Sequence, residues 1–153
     1  MRRHERIVRG FLMRTAPRLD NAEDLAQETF LRAWTRASSY SGEGSYRSWL
    51  LGIAWTTFLM DARTRRRRPP AWSGEATAPE QRASGDAERE AIVADAMKRL
   101  KPEDRASVTL CHVLGYTHQE AAEILGFPLG SLKSRVARGS AQLVELLGNG
   151  EKR

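Results

Sequence analysis

The 153 residues include one cysteine, Cys111, which excludes an intramolecular disulfide and a cysteine-rich zinc site. No run of eighteen apolar residues occurs, and the start, Met1-Arg2-Arg3-His4-Glu5-Arg6, has no signal-peptide-like apolar stretch. The expectation is a soluble, cytoplasmic chain with no membrane insertion. No strand-like alternation, internal repeat or glycine-rich phosphate loop appears, so sheets, solenoids and P-loop chemistry lack support. His4, His112 and His118 form no nucleophile or metal pattern with Cys111 and read as ordinary core or surface residues. No enzyme activity, catalytic residue, cofactor or metal is expected.

Lysine is also missing from residues 1 to 70, whereas fourteen arginines stand there against seven acids. Residues 1 to 70 therefore carry +7, more than the net charge of +6 of the whole chain, densest at Arg63 and Arg65 to Arg68. Such a patch fits a polyanion partner, and equally the solvated end of a helix.

The apolar residues recur at helical spacing throughout. Residues 5 to 16 predict a helix burying Ile7, Phe11 and Leu12, closed by Pro17. Asp20 and Glu23 resemble a capping box opening a second helix to about residue 37. Its apolar face would be Ala22, Ala26, Phe30, Ala33, Trp34 and Ala37, with Asp24, Glu28, Leu31 and Thr35 opposite and Gln27 and Arg32 beside them. Leu31 on that polar stripe is either an ordinary surface leucine or a contact point. After a loop at Ser38 to Gly44, a third helix from about Ser45 to Arg67 would bury Trp49, Leu50 and Ile53, with Thr57 and Met60 as further candidates. Pro69-Pro70 ends it. Residues 71 to 87, rich in Ala, Gly, Ser and Pro, have the composition of a linker.

From Glu88 a second module begins, with Ile92, Ala96 and Leu100 on one stripe, broken by Lys101-Pro102. Leu110, Cys111 and Leu114 line the next helix, which Gly115 ends. Thr117 and Glu120 form a capping box for a helix burying Ala121, Ala122 and Leu125. Gly126 to Gly130 make a compact turn. A last helix, Ser131 to about Leu147, then turns Leu132, Val136, Leu143 and Leu147 inward. Its early exposed residues are Ser131, Lys133, Ser134, Arg135 and Arg138. An apolar back with a hydrogen-bonding front near the N-terminus suits the major groove of DNA. The alternative is a helical hairpin with a solvated basic face.

Four sequence blocks bring a family into view. Ala22-Glu23-Asp24-Leu25-Ala26-Gln27-Glu28-Thr29-Phe30-Leu31-Arg32-Ala33-Trp34, and Tyr46-Arg47-Ser48-Trp49-Leu50 followed by Ile53-Ala54, resemble region two of the extracytoplasmic-function (ECF) sigma-70 factors. Gly115-Tyr116-Thr117 with Glu120-Ala121-Ala122, and Leu125-Gly126 with Gly130-Ser131-Leu132-Lys133-Ser134-Arg135, resemble region four. The resemblance implies an all-α chain of two small helical domains joined by a flexible linker: region two over 1–70, linker 71–87, region four over 88–153. It implies a sigma factor that directs promoter-specific initiation. By the same resemblance Asp24, Leu25, Gln27, Glu28, Leu31 and Arg32 dock on the clamp helices of the largest subunit of core RNA polymerase. Tyr46, Arg47, Thr56, Arg63 and Arg65 serve the minus-ten element, where melted bases need a stacking surface and a cationic track. Ser131, Lys133, Ser134, Arg135 and Arg138 serve the minus-thirty-five element. Promoter DNA is the second partner, and an anti-sigma protein is a third that the family commonly has. Competing readings are a sigma mimic that sequesters regulators and an autonomous helix-turn-helix regulator.

Three departures from the family pattern stand out. Trp55 and Thr56 occupy positions where the family usually shows a basic residue and asparagine, and Thr56 lacks an amide's paired donor and acceptor. An acidic residue usual near Met60 is displaced to Asp61. The first helix is also short for the group.

Overall fold

The computed structural model describes residues 2–16, 19–67 and 85–150, with the backbone alone for residues 2, 19, 20 and 150. The described residues are helical with no strand: α1 (Arg2–Thr15), α2 (Leu19–Thr35), α3 (Tyr46–Arg67), α4 (Gly85–Lys98), α5 (Pro102–Val108), α6 (His118–Leu125) and α7 (Leu129–Gly150). A 3-10 turn spans Ala37–Ser39, and a π turn at Thr109–Val113 extends α5. Pro17, Arg68, Pro69-Pro70 and most of the expected linker lie outside the described residues, while Gly85 to Ala87 already belong to α4.

In the first group of helices, α2 buries Ala22, Leu25, Ala26, Thr29 and Ala33. Small residues dominate this stripe, so α2 lies close against α3. Thr29 fits there because its hydroxyl donates to the Leu25 carbonyl at 2.6 Å; Thr15 and Thr57 likewise donate to the carbonyls of Phe11 and Ile53. The expected face was rotated from this one. Trp34 is 71% exposed and Ala37 lies beyond the helix, because the packing surface of α3 ends near Ala33. The helix starts at Leu19, one residue ahead of the expected Asp20 cap. On α1 it is Val8, with Phe11 and Leu12, that is fully buried, whereas Ile7 is only partly covered.

Helix α3 has no single apolar face. Leu50, Leu51, Ile53, Ala54, Trp55, Thr57 and Phe58 are all buried, an arc of roughly half the circumference at 3.6 residues per turn. Expected core residues Trp49 and Met60 are partly and largely exposed, whereas Trp55 is 3% exposed. The physical reason is a second layer: α6 packs on α3 and covers the side that carries Trp55. Trp55 stacks on Phe58 at 5.6 Å and meets Phe127 edge-on at 6.2 Å. The approach is close at Gly52, where a Cβ would come into van der Waals contact with the Ile124 carbonyl at 3.4 Å.

The two helical groups therefore share one apolar cluster, which runs from Val8, Phe11 and Leu12 through Leu51 and Trp55 to Leu110, Ala121, Leu125 and Leu132. Met97, Leu100 and Val108 form a smaller one with Leu143 and Leu146. Ile92, expected on the α4 stripe, is 51% exposed, and Met97 takes its place. Arg105 fastens the groups from inside. It is 4% exposed. Its guanidinium donates to the carbonyls of Met97 at 2.9 Å, Leu100 at 2.8 Å, Lys98 at 3.4 Å and, across the groups, Thr15. One cation thus meets the carbonyl ends of both α4 and α1, where helix dipoles concentrate negative charge. Burial lowers the Arg105 pKa from its ordinary value, and nearby Glu103 opposes that shift.

Candidate nucleic-acid interface

The α6–turn–α7 unit forms as the local sequence demands. Thr117 accepts from the Glu120 amide at 3.1 Å, and Glu120 accepts from the Thr117 amide at 3.2 Å. Gly126 ends α6 in the left-handed region, at φ 72°. Helix α7 begins at Leu129, two residues earlier than expected, so Gly130 belongs to its first turn. Leu132 and Val136 point inward, and Ser131, Lys133 and Ser134 lie exposed on the front.

Arg135 and Arg138 are placed differently from those three. Asp104, 1% exposed, accepts two bonds from Arg138, both at 2.9 Å. Arg135 lies 3.8 Å from the same carboxylate and 4.6 Å over the Phe127 ring. Asp104 raises the Arg138 pKa, first by hydrogen bonding and then by charge. Arg138, expected on the reading front, keeps a 55% exposed side chain there but is paired with Asp104 of α5.

A second face runs along α2. Asp24, Gln27, Glu28 and Leu31 are exposed at helical spacing, with Leu31 63% exposed and Trp34 extending the stripe. Arg32 donates to Glu28 at 2.9 Å. Leu25 is a core residue at 4% exposed, and it lies at the edge of this face, lining a cleft with Asp24, Glu28 and Arg32.

The third set is dispersed around α3. Tyr46 packs with His4, Tyr40 and Trp49 at ring separations of 5.3 to 5.6 Å, and the Tyr40 hydroxyl donates to the Gly44 carbonyl at 2.9 Å. This cluster props up the 40–45 loop, whose Gly42 and Gly44 have φ of 79° and 73°. Arg47 lies over the Tyr116 ring at 5.5 Å, facing the second helical group. Thr56 is exposed but shares a cleft of about 510 Å³ with Arg36, Ser48, Glu120 and Glu123. Arg65 is held by Asp61 at 2.9 Å and by Asn21. Arg63 is exposed and has no ion pair among the described residues.

Comparisons with known proteins fall on these same segments. Residues 1–68 match the Sigma-70 region 2 family and residues 90–143 the Sigma-70 region 4 family. The ECF RNA polymerase sigma factor SigM of Mycobacterium tuberculosis is 32% identical over 96% of this chain and 74% of its own length. The chain belongs to the ECF sigma-factor family. The ECF sigma factor SigE of Mycolicibacterium smegmatis is 34% identical over 96% of this chain, which spans only 60% of that relative's length. Among solved structures, the sigma factor RpoE in complex with the anti-sigma factor NepR from Bartonella quintana superposes with a TM-score of 0.80 at 28% identity, covering 95% of this chain and 92% of that one. CnrH in complex with the cytosolic domain of CnrY gives a TM-score of 0.64 at 25% identity, covering 91% and 81%.

Asp104, Phe127, Glu120 and Glu123 are the residues near this sigma factor's candidate interface that sequence reasoning did not single out as contacts. Glu120 was legible as a cap, but its place beside Thr56 depends on α6 meeting α3. Asp104 carried no signal, because an acid in the first turn of a helix is ordinary.

Proposed function

We propose that the chain is a promoter-directing subunit of RNA polymerase that works in the cytoplasm, with a polymerase- and minus-ten-binding unit at 1–70 and a minus-thirty-five-binding unit at 88–153. The observation that carries this is the front of α7: Ser131, Lys133 and Ser134 stand exposed over a buried Leu132 and Val136. That arrangement fits a helix laid in the major groove. Asp24, Gln27, Glu28, Leu31 and Arg32 form the docking face for the clamp helices of core polymerase, and Leu31 is the apolar centre of that contact. Phosphodiester chemistry is left to the polymerase.

In this reading the structure is a closed state. Thr56 faces Glu120 and Glu123 across the cleft, and Arg47 lies against Tyr116. Two carboxylates beside the base-reading threonine repel the phosphates of a melted strand. Tyr46, Arg47, Thr56, Arg63 and Arg65 therefore meet DNA together only after α6 leaves α3. Polymerase and promoter must bind the open form more tightly, in proportion to the closed packing they displace. An anti-sigma partner, such as NepR in the complex of RpoE, is expected to act on this same equilibrium.

The test is transcription of fragmented host genomic DNA by core polymerase with and without the chain. New transcript starts sharing two upstream elements at fixed spacing are expected. Stable polymerase binding without new starts would favour a mimic; no polymerase binding would shift the reading to an autonomous regulator.

A further inference from the structure

A buried acid lies directly beneath the reading helix. Helix α5 approaches α7 closely because position 139 is glycine: a Cβ there would fall 2.7 Å from Val108 Cγ2 and 3.4 Å from the Asp104 carbonyl. The approach brings the Asp104 carboxylate, 1% exposed, up to the guanidinium groups of Arg135 and Arg138. Both oxygens of Asp104 are taken by Arg138, in the two-pronged geometry that neutralises charge and fixes orientation together. Arg135 is confined between Asp104 and the Phe127 ring.

We propose that Asp104 is a positioning and specificity-determining residue for upstream-element reading: it neutralises the charge of Arg138 and holds Arg135 in a fixed pose at the front of α7. This rests on the helix-turn-helix reading above. Three cations lie along the front of α7: Arg138 is 55% exposed but bonded to Asp104 through both oxygens, Arg135 lies 3.8 Å from the same carboxylate, and Lys133 has no ion pair among the described residues. Pairing of Arg138 with Asp104 reduces sequence-independent attraction to phosphates, which is what a reader of bases needs. A fixed Arg135 favours one base-edge geometry over others, since a guanidinium reads guanine through two bonds at once. The raised Arg138 pKa agrees with this pairing.

The experiment is a charge cycle in the full chain: wild type, Asp104→Asn, Arg138→Gln and the double variant. Binding to a generic mixed-sequence duplex is measured against salt from about 50 to 200 mM, where each phosphate contact adds about 0.9 to the logarithmic slope. Arg138→Gln should leave the slope unchanged, Asp104→Asn should steepen it by about 0.9, and the double variant should return it to the wild-type value. A purely structural role would lower the unfolding midpoint without this pattern of slopes. In the second arm, core polymerase with Asp104→Asn is tested on a mapped promoter and its upstream-element base variants. Discrimination should fall by about tenfold. A shallower slope for Arg138→Gln would overturn the proposal, because Arg138 would then already contact a phosphate. Unchanged slope and discrimination for Asp104→Asn would overturn it as well. Should Asp104→Asn not fold, the Arg138→Gln slope alone decides. Failure of the sigma reading looks different: wild type with core polymerase would show no upstream preference, while the generic-duplex slopes would still report on Asp104.

Discussion

Replacing Arg105 by methionine tests whether the two helical groups are held as one body. Methionine fills much of the same space but donates nothing. The carbonyls of Met97, Leu100 and Thr15 would then lose their buried donor, and that of Lys98 a longer, weaker one. A buried acceptor left without a partner costs about 1–3 kcal/mol. Such costs do not add fully, because the helix ends relax together, so about 3–5 kcal/mol is expected for the loss of the whole group. Against a total stability on the order of 5–15 kcal/mol, that is a large fraction. In a chain of this size the melting midpoint should fall by roughly 10 °C or more. Urea unfolding followed by tryptophan fluorescence reads the change, since Trp55 lies at the junction of the groups. A double-mutant cycle with Trp55→Ala reads whether Arg105 and Trp55 are coupled. If Arg105 and Trp55 both hold the closed form, their effects should depart from additivity by more than about 0.5 kcal/mol. A loss below about 1 kcal/mol for Arg105→Met would refute the accounting of buried carbonyls. Additivity within error would refute the coupling of Arg105 with Trp55.

Charge reversal at Asp24 and Glu28, both exposed, should weaken pull-down by core polymerase while moving stability by no more than about 0.5 kcal/mol; an equal loss of duplex affinity would contradict the assignment of this face. Gly139→Ala should destabilise by about 1–3 kcal/mol in urea despite alanine's better helix propensity, because its Cβ would sit 2.7 Å from Val108 Cγ2. Stabilisation would mean that Val108 moves aside freely. Burial raises the Cys111 pKa, so iodoacetamide should modify the native thiol more slowly than the thiol in urea. The unfolded thiol ionises first, near pH 8.5, so the contribution of Cys111 to stability should decline as pH rises above that value. Equal alkylation rates would show that the thiol is not shielded.

Local signals survived translation into structure where the interaction closes within one turn. The Thr117–Glu120 box, the stop at Gly126 and the break at Lys101-Pro102 each depend on residues no more than four apart. The alanines of α2 and the inward Leu132 and Val136 of α7 were legible for a related reason, as helical spacing alone puts them on one face. Faces near helix ends were not. Trp34 and Met60 continue apolar stripes in sequence, yet are 71% and 46% exposed, and Met60 is met by the polar Arg32 side chain of α2 rather than by an apolar cover.

The order of helices, the turn-and-helix pair and the concentration of arginine in the first seventy residues follow from the amino-acid sequence alone, because periodicity, capping and charge are properties of neighbouring residues. Which polar groups are free to act follows only from tertiary structure. Leu25 and Leu31 lie six residues apart in one family motif, but one is core and the other surface. Arg135 and Arg138 look alike on the front of α7 until Asp104, thirty-four residues before Arg138, arrives beneath them. Trp55 looks like a departure from the family until Phe127 meets it. Each of these outcomes depends on contact between helices far apart in sequence, and chain spacing carries no information about which side of a helix a distant partner will cover.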